Sequence, residues 1–260
     1  MPLQIPDNYQ EGSSAIHGLD PRVKVAAVVM FVLVVNLIPE GDWFMFLLFC
    51  LGVWGLIWVA GVGVFEVLKR SMVALPFGMA AIVIPFTLPG RALFALPLVG
   101  WEVTEPGLIR FLTILLRFGM AVQMAVLLTR VTRFPDIIWA LRGLRLPPAL
   151  VTMIGLMYRY FFVIGDEALR MRRARSARSA SLQGGRRPSA LWQTKVVGLM
   201  VGSLFLRALG RSERIHAAML SRGYDGSPRL LSSFRMGLMD WLVLSFFGML
   251  VLTLLIWRLG

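Results

Sequence analysis

Four arginines in the second half of the chain share one side of a helix. At 100° per residue, Arg211, Arg214 and Arg222 lie at about 40°, −20° and 60° from Arg207, a stripe about 80° wide. A solvated face usually mixes Lys, Glu and Arg, and this one is all Arg. The guanidinium is planar, permanently charged and forked to match carboxylate or phosphate oxygens. The pattern therefore favours an acidic partner: a protein, a lipid phosphate or a nucleic acid. Other chemistry is missing. No Gly precedes Lys24, Lys69 or Lys195, which excludes a phosphate-cradling P-loop. His17 and His216 stand alone, without metal-ligand spacing. No Gly-x-Ser-x-Gly occurs, and the single cysteine, Cys50, excludes an internal disulfide and a multi-Cys metal site. The chain reads as neither an enzyme nor a metal or cofactor binder.

Two long helices must position the arginines. The stripe belongs to a helix from about Ala190 to Arg222, stopped by Gly223. Before it runs a helix from about Ala149 to Ser181. Its first half is apolar. Its second half begins Asp166-Glu167 and continues with Arg170, Arg172, Arg173, Arg175 and Arg178. Gly184-Gly185-Arg186-Arg187-Pro188 is a turn. Gly198 and Gly202 form a small-xxx-small pair, and Ala168, Ala174, Ala177 and Ala180 offer small counterparts. Such spacing lets helices approach closely, so the two helices are expected to cross at Gly198–Gly202.

The remainder is unusually apolar. The 260 residues are 57% hydrophobic and 16% charged, with a mean hydropathy of +0.73. Soluble domains are about 45–50% apolar and about a quarter charged. Of the net charge of +13, the stretch 166–229 holds +9, with 13 basic and 4 acidic residues. Charge-free runs lie elsewhere: Val25–Pro39, Trp43–Phe65, Ser71–Gly90 and Trp241–Trp257. A further run, Pro106–Thr129, carries Arg110 and Arg117. Each is long enough to span a bilayer, some with snorkelling flanks. The first begins only at Val25 and lacks a small-residue cleavage site, so it reads as a span and not a signal peptide. Arg117 lies near the middle of its span, where a charge is either functional or tied to helix-end carbonyls.

Loops with Glu40 and Asp42, or Glu102 and Glu105, alternate with loops bearing Lys69 and Arg70, or Arg130, Arg133, Arg142 and Arg145. The positive-inside rule then places the N-terminus in the cytoplasm. The expected architecture is an all-α, polytopic bundle of about five spans with two long cytoplasmic helices. Residues 1–130 form four spans. Residues 131–148 form an interfacial amphipathic helix with Ile137, Leu141 and Leu144 on one face. Residues 149–229 form the Arg-rich pair, whose first helix is oblique and partly embedded, and 230–260 the last span.

At the residue level the chain resembles a known family. Ser14-Ala15-Ile16-His17-Gly18-Leu19-Asp20-Pro21-Arg22-Val23-Lys24 is similar to the S-x-L-H-x-L-D-P-R-x-K opening of the transmembrane T subunits of energy-coupling factor (ECF) transporters, the CbiQ/EcfT family. Met157-Tyr158-Arg159-Tyr160, Asp166-Glu167-Ala168, Met171-Arg172-Arg173-Ala174-Arg175, Gly202-Ser203-Leu204-Phe205-Leu206-Arg207 and Ala218-Met219-Leu220-Ser221-Arg222-Gly223-Tyr224 continue the likeness in order. It is greatest for the cobalt-type branch, with nickel as neighbour.

The resemblance implies a coupling subunit in a bacterial inner membrane. It would join two ATPase subunits, which hold the ATP, to a substrate-binding membrane subunit of the metal-import type, and serve cobalt transport and cobalamin biosynthesis. Two Ala-Arg-Gly-type motifs would dock on the ATPases. They map to Ala177-Arg178-Ser179 and Ser221-Arg222-Gly223, each departing from Ala-Arg-Gly by a serine, with Arg207, Arg211 and Arg214 as a supporting basic stripe. Two other classes are less well matched. A conventional ABC permease would carry an acidic-Ala-Ala loop, faintly echoed by Leu144-Arg145-Leu146-Pro147. A membrane enzyme gripping a phosphate-bearing lipid would carry clustered carboxylates. A nucleic-acid partner is disfavoured because 166–189 contains no aromatic residue for stacking.

Overall fold

Prolines, carboxylates and serine set the helix starts. In a computed structural model that describes residues 9–12, 14–72, 75–96, 101–144, 146–179, 189–226 and 236–259, a short turn α1 (Ala15–Gly18) leads into α2 (Pro21–Leu37). Asp20 caps α2 by accepting the Arg22 N–H at 2.8 Å, and Pro21 occupies the first turn, where no N–H is needed. Asp42 does the same for α3 (Trp43–Val59), accepting from the Met45 N–H. Gly61, at φ 71°, provides the left-handed residue after α3. The chain continues through α4 (Val64–Ser71), α5 (Leu75–Met79), a 3₁₀ turn at Ala80–Val83, and α6 (Ile84–Thr87). An antiparallel hairpin follows, β1 (Ala92–Leu96) and β2 (Trp101–Thr104). Then come α7 (Glu105–Val131), α8 (Phe134–Gly143), α9 (Pro148–Ser179), α10 (Ala190–Ser221) and α11 (Leu238–Leu259). The described chain is all-α apart from that hairpin.

The described residues fall into two compact units, 9–144 with 236–259, and 146–179 with 189–226. In the first, Phe31, Val35 and Ile38 of α2, Phe46, Val53 and Ile57 of α3, Val67 of α4, and Met120, Met124 and Leu127 of α7 make one buried core. The outer side is equally apolar: Leu33, Phe44, Leu47 and Trp58 are exposed, Trp58 at 79%. A helix apolar on all sides yet open to its surroundings belongs in lipid. α7 and Pro148–Arg178 of α9 are long and apolar enough to cross a membrane, and α3 and Leu238–Thr253 are shorter apolar helices. This is the make-up of an all-α membrane helix protein.

The run Ser71–Gly90 is not one helix: it divides into the end of α4, α5, the 3₁₀ turn and α6. Pro76 and Pro85 each remove a backbone donor and Gly78 weakens the helix between them. This broken stretch packs against α7, where a Cβ on Gly107 would lie only 2.7 Å from Pro85 Cα. Helix α8 packs on α2, burying Ile138, Trp139 and Ala140, whereas Leu144 is 43% exposed and Ile137 and Leu141 half-buried. The Arg22 guanidinium lies 3.9 Å from the Trp139 ring centroid. This cation–π contact ties the start of α2 to α8.

Candidate functional site

The candidate site is the pair α9 and α10, which carries both arginine motifs. Helix α9 starts at the double proline: the Pro147 carbonyl accepts the N–H groups of Leu150 and Val151. Ser189 caps α10 by accepting the Trp192 N–H at 3.3 Å. At the other end Gly223 takes φ 76°. Its N–H donates to Leu220 O at 2.9 Å and the Tyr224 N–H donates to Met219 O at 3.1 Å. These are the two bonds of a Schellman turn, with glycine at the one position that requires it. Arg222 is thus fixed between the helix end and a closed turn, with its side chain exposed.

Contacts between the helices give their direction. The Tyr224 hydroxyl donates to Thr152 Oγ1 at 3.3 Å, near the start of α9. Further along α9, Glu167 accepts from Arg207 at 3.1 Å and from Arg211 at 2.5 Å, one carboxylate oxygen each. Position rises on one helix as it falls on the other, so the pair runs antiparallel. Arg222 therefore lies beside the beginning of α9, and Arg178 at its far end. At the helical rise, the stretch of α9 from Thr152 to Arg178 is about 39 Å long. Ala177 and Arg178 are exposed, as are Ser221 and Gly223.

The basic stripe is divided. Arg207 and Arg211 are committed to Glu167, whose side chain is 13% exposed, while Arg214 and Arg222 remain on the surface. The acidic partner of half the stripe is thus a residue of this chain. The expected crossing at Gly198–Gly202 is corrected: a Cβ on either glycine meets nothing within 4 Å. The physical reason is that the helices are joined at Glu167 through Arg207 and Arg211, and the glycines lie on the opposite side of α10, about 180° and 140° from Arg207 at 100° per residue. Ala180 and the turn Gly184–Pro188, with Arg186 and Arg187, lie outside the described residues, as does part of the 229/230 boundary region.

In the other unit, the N-terminal motif is a structural knot. Ser14 Oγ lies 2.7 Å from His17 Nδ1, and Lys24 Nζ donates to the His17 carbonyl at 2.9 Å. The Asp20 N–H donates to Asp240 Oδ1 of α11 at 2.9 Å, and Asp240 Oδ2 accepts the Gly237 N–H at 2.8 Å. Asp20, Lys24 and Asp240 are all buried. Arg117 donates to the carbonyl of Ile38, the residue capping the C-terminus of α2, which is the helix-end role weighed for it above. Arg130, buried, reaches Glu66 at 2.9 Å and joins α7 to α4. The importance of Glu167, Asp240 and Trp139 went unread in the sequence. Asp240 did leave a signal, as an isolated carboxylate at the edge of an apolar run. Trp139 left none.

The family model CbiQ, described as cobalt transport protein, matches residues 12–232. The EcfT protein of Lacticaseibacillus paracasei, named an energy-coupling factor transporter transmembrane protein, is 29% identical over 263 residues, covering 94% of each chain. The EcfT protein of Bacillus subtilis, so named too, is 28% identical over 235 residues, covering 87% of this chain and 86% of its own. An uncharacterized protein of Methanocaldococcus jannaschii is 27% identical over 227 residues, 85% of this chain and 75% of its own. The match takes in both the knot around Asp20 and the helices bearing Arg178 and Arg222, and with most of its length so covered the chain belongs to the CbiQ family.

Proposed function

We propose that this chain is the transmembrane coupling subunit of an ECF-type importer. It carries ATP-driven movement from two ATPase subunits to a separate membrane subunit that binds substrate. The chain itself performs no catalysis. It is a multi-pass protein of the plasma membrane, with its N-terminus and the α9–α10 pair on the cytoplasmic side. The substrate is divalent cobalt or its neighbour nickel, in keeping with the family's description as cobalt transport proteins.

One observation carries the reading. The two motif arginines are both exposed and lie at opposite ends of an antiparallel pair, about 39 Å apart along the helix. Two ATPase subunits side by side need two such separate contacts, and a single docking point could not drive both. Ser221-Arg222-Gly223 presents its arginine from a closed Schellman turn, so little backbone freedom is lost when it is captured. The fork of the guanidinium matches a carboxylate pair in an ATPase groove.

The test is recovery of the ATPase with the detergent-solubilised chain. Arg178→Ala or Arg222→Ala each reduces recovery by about 30-fold, since truncating one partner of a buried interfacial pair costs about 2 kcal/mol or more. The double variant retains none, because the linked contacts act by avidity. Arg→Lys restores it only in part. A double variant that still recovers the ATPase and still drives uptake refutes the assignment.

A further inference from the structure

Helices α9 and α10 meet at Glu167. On one side of it they leave a cleft of about 580 Å3 between Met153, Leu156 and Met157 of α9 and Ile215 and Met219 of α10, bridged at its end by Tyr224 and Thr152. On the other side, Ala190 to Lys195 of α10 are exposed, as are Arg172, Arg173, Ala174, Ser176, Ala177 and Arg178 of α9. No residue of α10 is buried. Between these regions sits a two-armed ionic contact. Glu167 Oε1 accepts from Arg207 and Oε2 from Arg211, residues one helical turn apart on the same face. The carboxylate is 13% exposed and the two side chains that hold it 60% and 30%.

From this arrangement we infer that Glu167 is the pivot of the pair, a positioning residue that fixes where α9 and α10 cross while leaving their ends free to swing. This rests on the coupling function proposed above and names the residue that turns movement at Arg178 and Arg222 into movement of the pair. Interdigitated side chains would lock the crossing angle, because a packed core resists continuous deformation. A carboxylate chelated by two long, flexible arginines holds its position yet permits rotation about it. A pair with no fixed point would slide under load, and force at one arginine would not reach the other.

The test separates the pivot from the function it serves. In a Cys50→Ser background, spin labels are placed at Ala174→Cys on α9 and Thr194→Cys on α10, both exposed positions. Pulsed electron-electron resonance on the detergent-solubilised chain gives the distance distribution. It is narrow with Glu167 and broad with Glu167→Gln and Glu167→Ala. It narrows again when Glu167→Arg is combined with Arg207→Glu and Arg211→Glu, which restores the chelate with charges reversed. In the transporter assembled with its co-purifying ATPase and substrate-binding subunits, Glu167→Gln keeps ATPase recovery but lowers cobalt uptake per ATP hydrolysed about tenfold. An unchanged distribution in Glu167→Ala overturns the pivot, as does a broadened one with normal uptake per ATP. A wild-type chain that recovers no ATPase refutes the coupling function instead, and the distance measurement still decides the pivot.

Discussion

The bundle around α2 and α7 interlocks, whereas α9 and α10 touch at a few polar points. Within the most apolar window of α7, 22% of residues are buried, against 6% for that of α9. Charged groups follow the same division. In the bundle, Asp20, Lys24, Arg130 and Asp240 are buried and serve backbone groups or a single partner. In the pair, the arginines lie at or near the surface and the carboxylate of Glu167, 13% exposed, is shared between two of them. Glycines differ likewise: Gly107 allows α7 to meet Pro85, and Gly198 and Gly202 allow nothing to meet within the described residues. One chain thus holds a closely packed bundle and a helix pair joined through partly exposed polar groups.

Asp240 gives the largest effect expected from the bundle. Asp240→Ala leaves the buried N–H of Asp20 and the more exposed N–H of Gly237 without their acceptor, and Lys24 without a neighbouring charge. The loss is about 3 kcal/mol, with Asp240→Asn less severe, read as the thermal unfolding midpoint of the solubilised chain. Gly107→Ala should cost about 1–3 kcal/mol in the same assay, because the new methyl group meets backbone and not a mobile side chain. Gly202→Ala should move the other way, by up to about 1 kcal/mol of added helix stability, since its surroundings are open. Equal losses at Gly107 and Gly202 would erase the contrast between the regions. The smallest change is expected for Arg110→Ala. Its pair with Glu40 spans 3.5 Å with both side chains about half exposed, worth less than about 1 kcal/mol.

The sequence made much of this legible because helix ends have local causes. Asp20-Pro21, Phe134-Pro135 and Gly223 act on their own neighbours, and α2, α8 and α10 begin or end there. The arginine motifs were legible as positions too, since exposed groups depend little on what packs nearby. Side-chain partners across the fold were not. Glu167 is one acidic residue amid many arginines, and nothing local shows which of them it will meet. The Gly198–Gly202 spacing describes a face able to pack closely, not one that does. The contact of Arg22 with Trp139 was likewise not legible, since it joins residues far apart in the chain. The run Ser71–Gly90 looked continuous because hydropathy takes no account of the backbone donors that Pro76 and Pro85 lack.

The hydrogen bond from Asp20 to Asp240 spans 220 positions in sequence, and this bears on how the protein is made. Helix α2 emerges from the ribosome well before α11, which carries the acceptor for the buried amide at its start. Until α11 has been made, that amide lacks its native acceptor. The junction of α2 and α11 therefore closes late relative to the synthesis of α2. A product truncated before Asp240 would leave the Asp20 N–H without the acceptor it has in the complete fold.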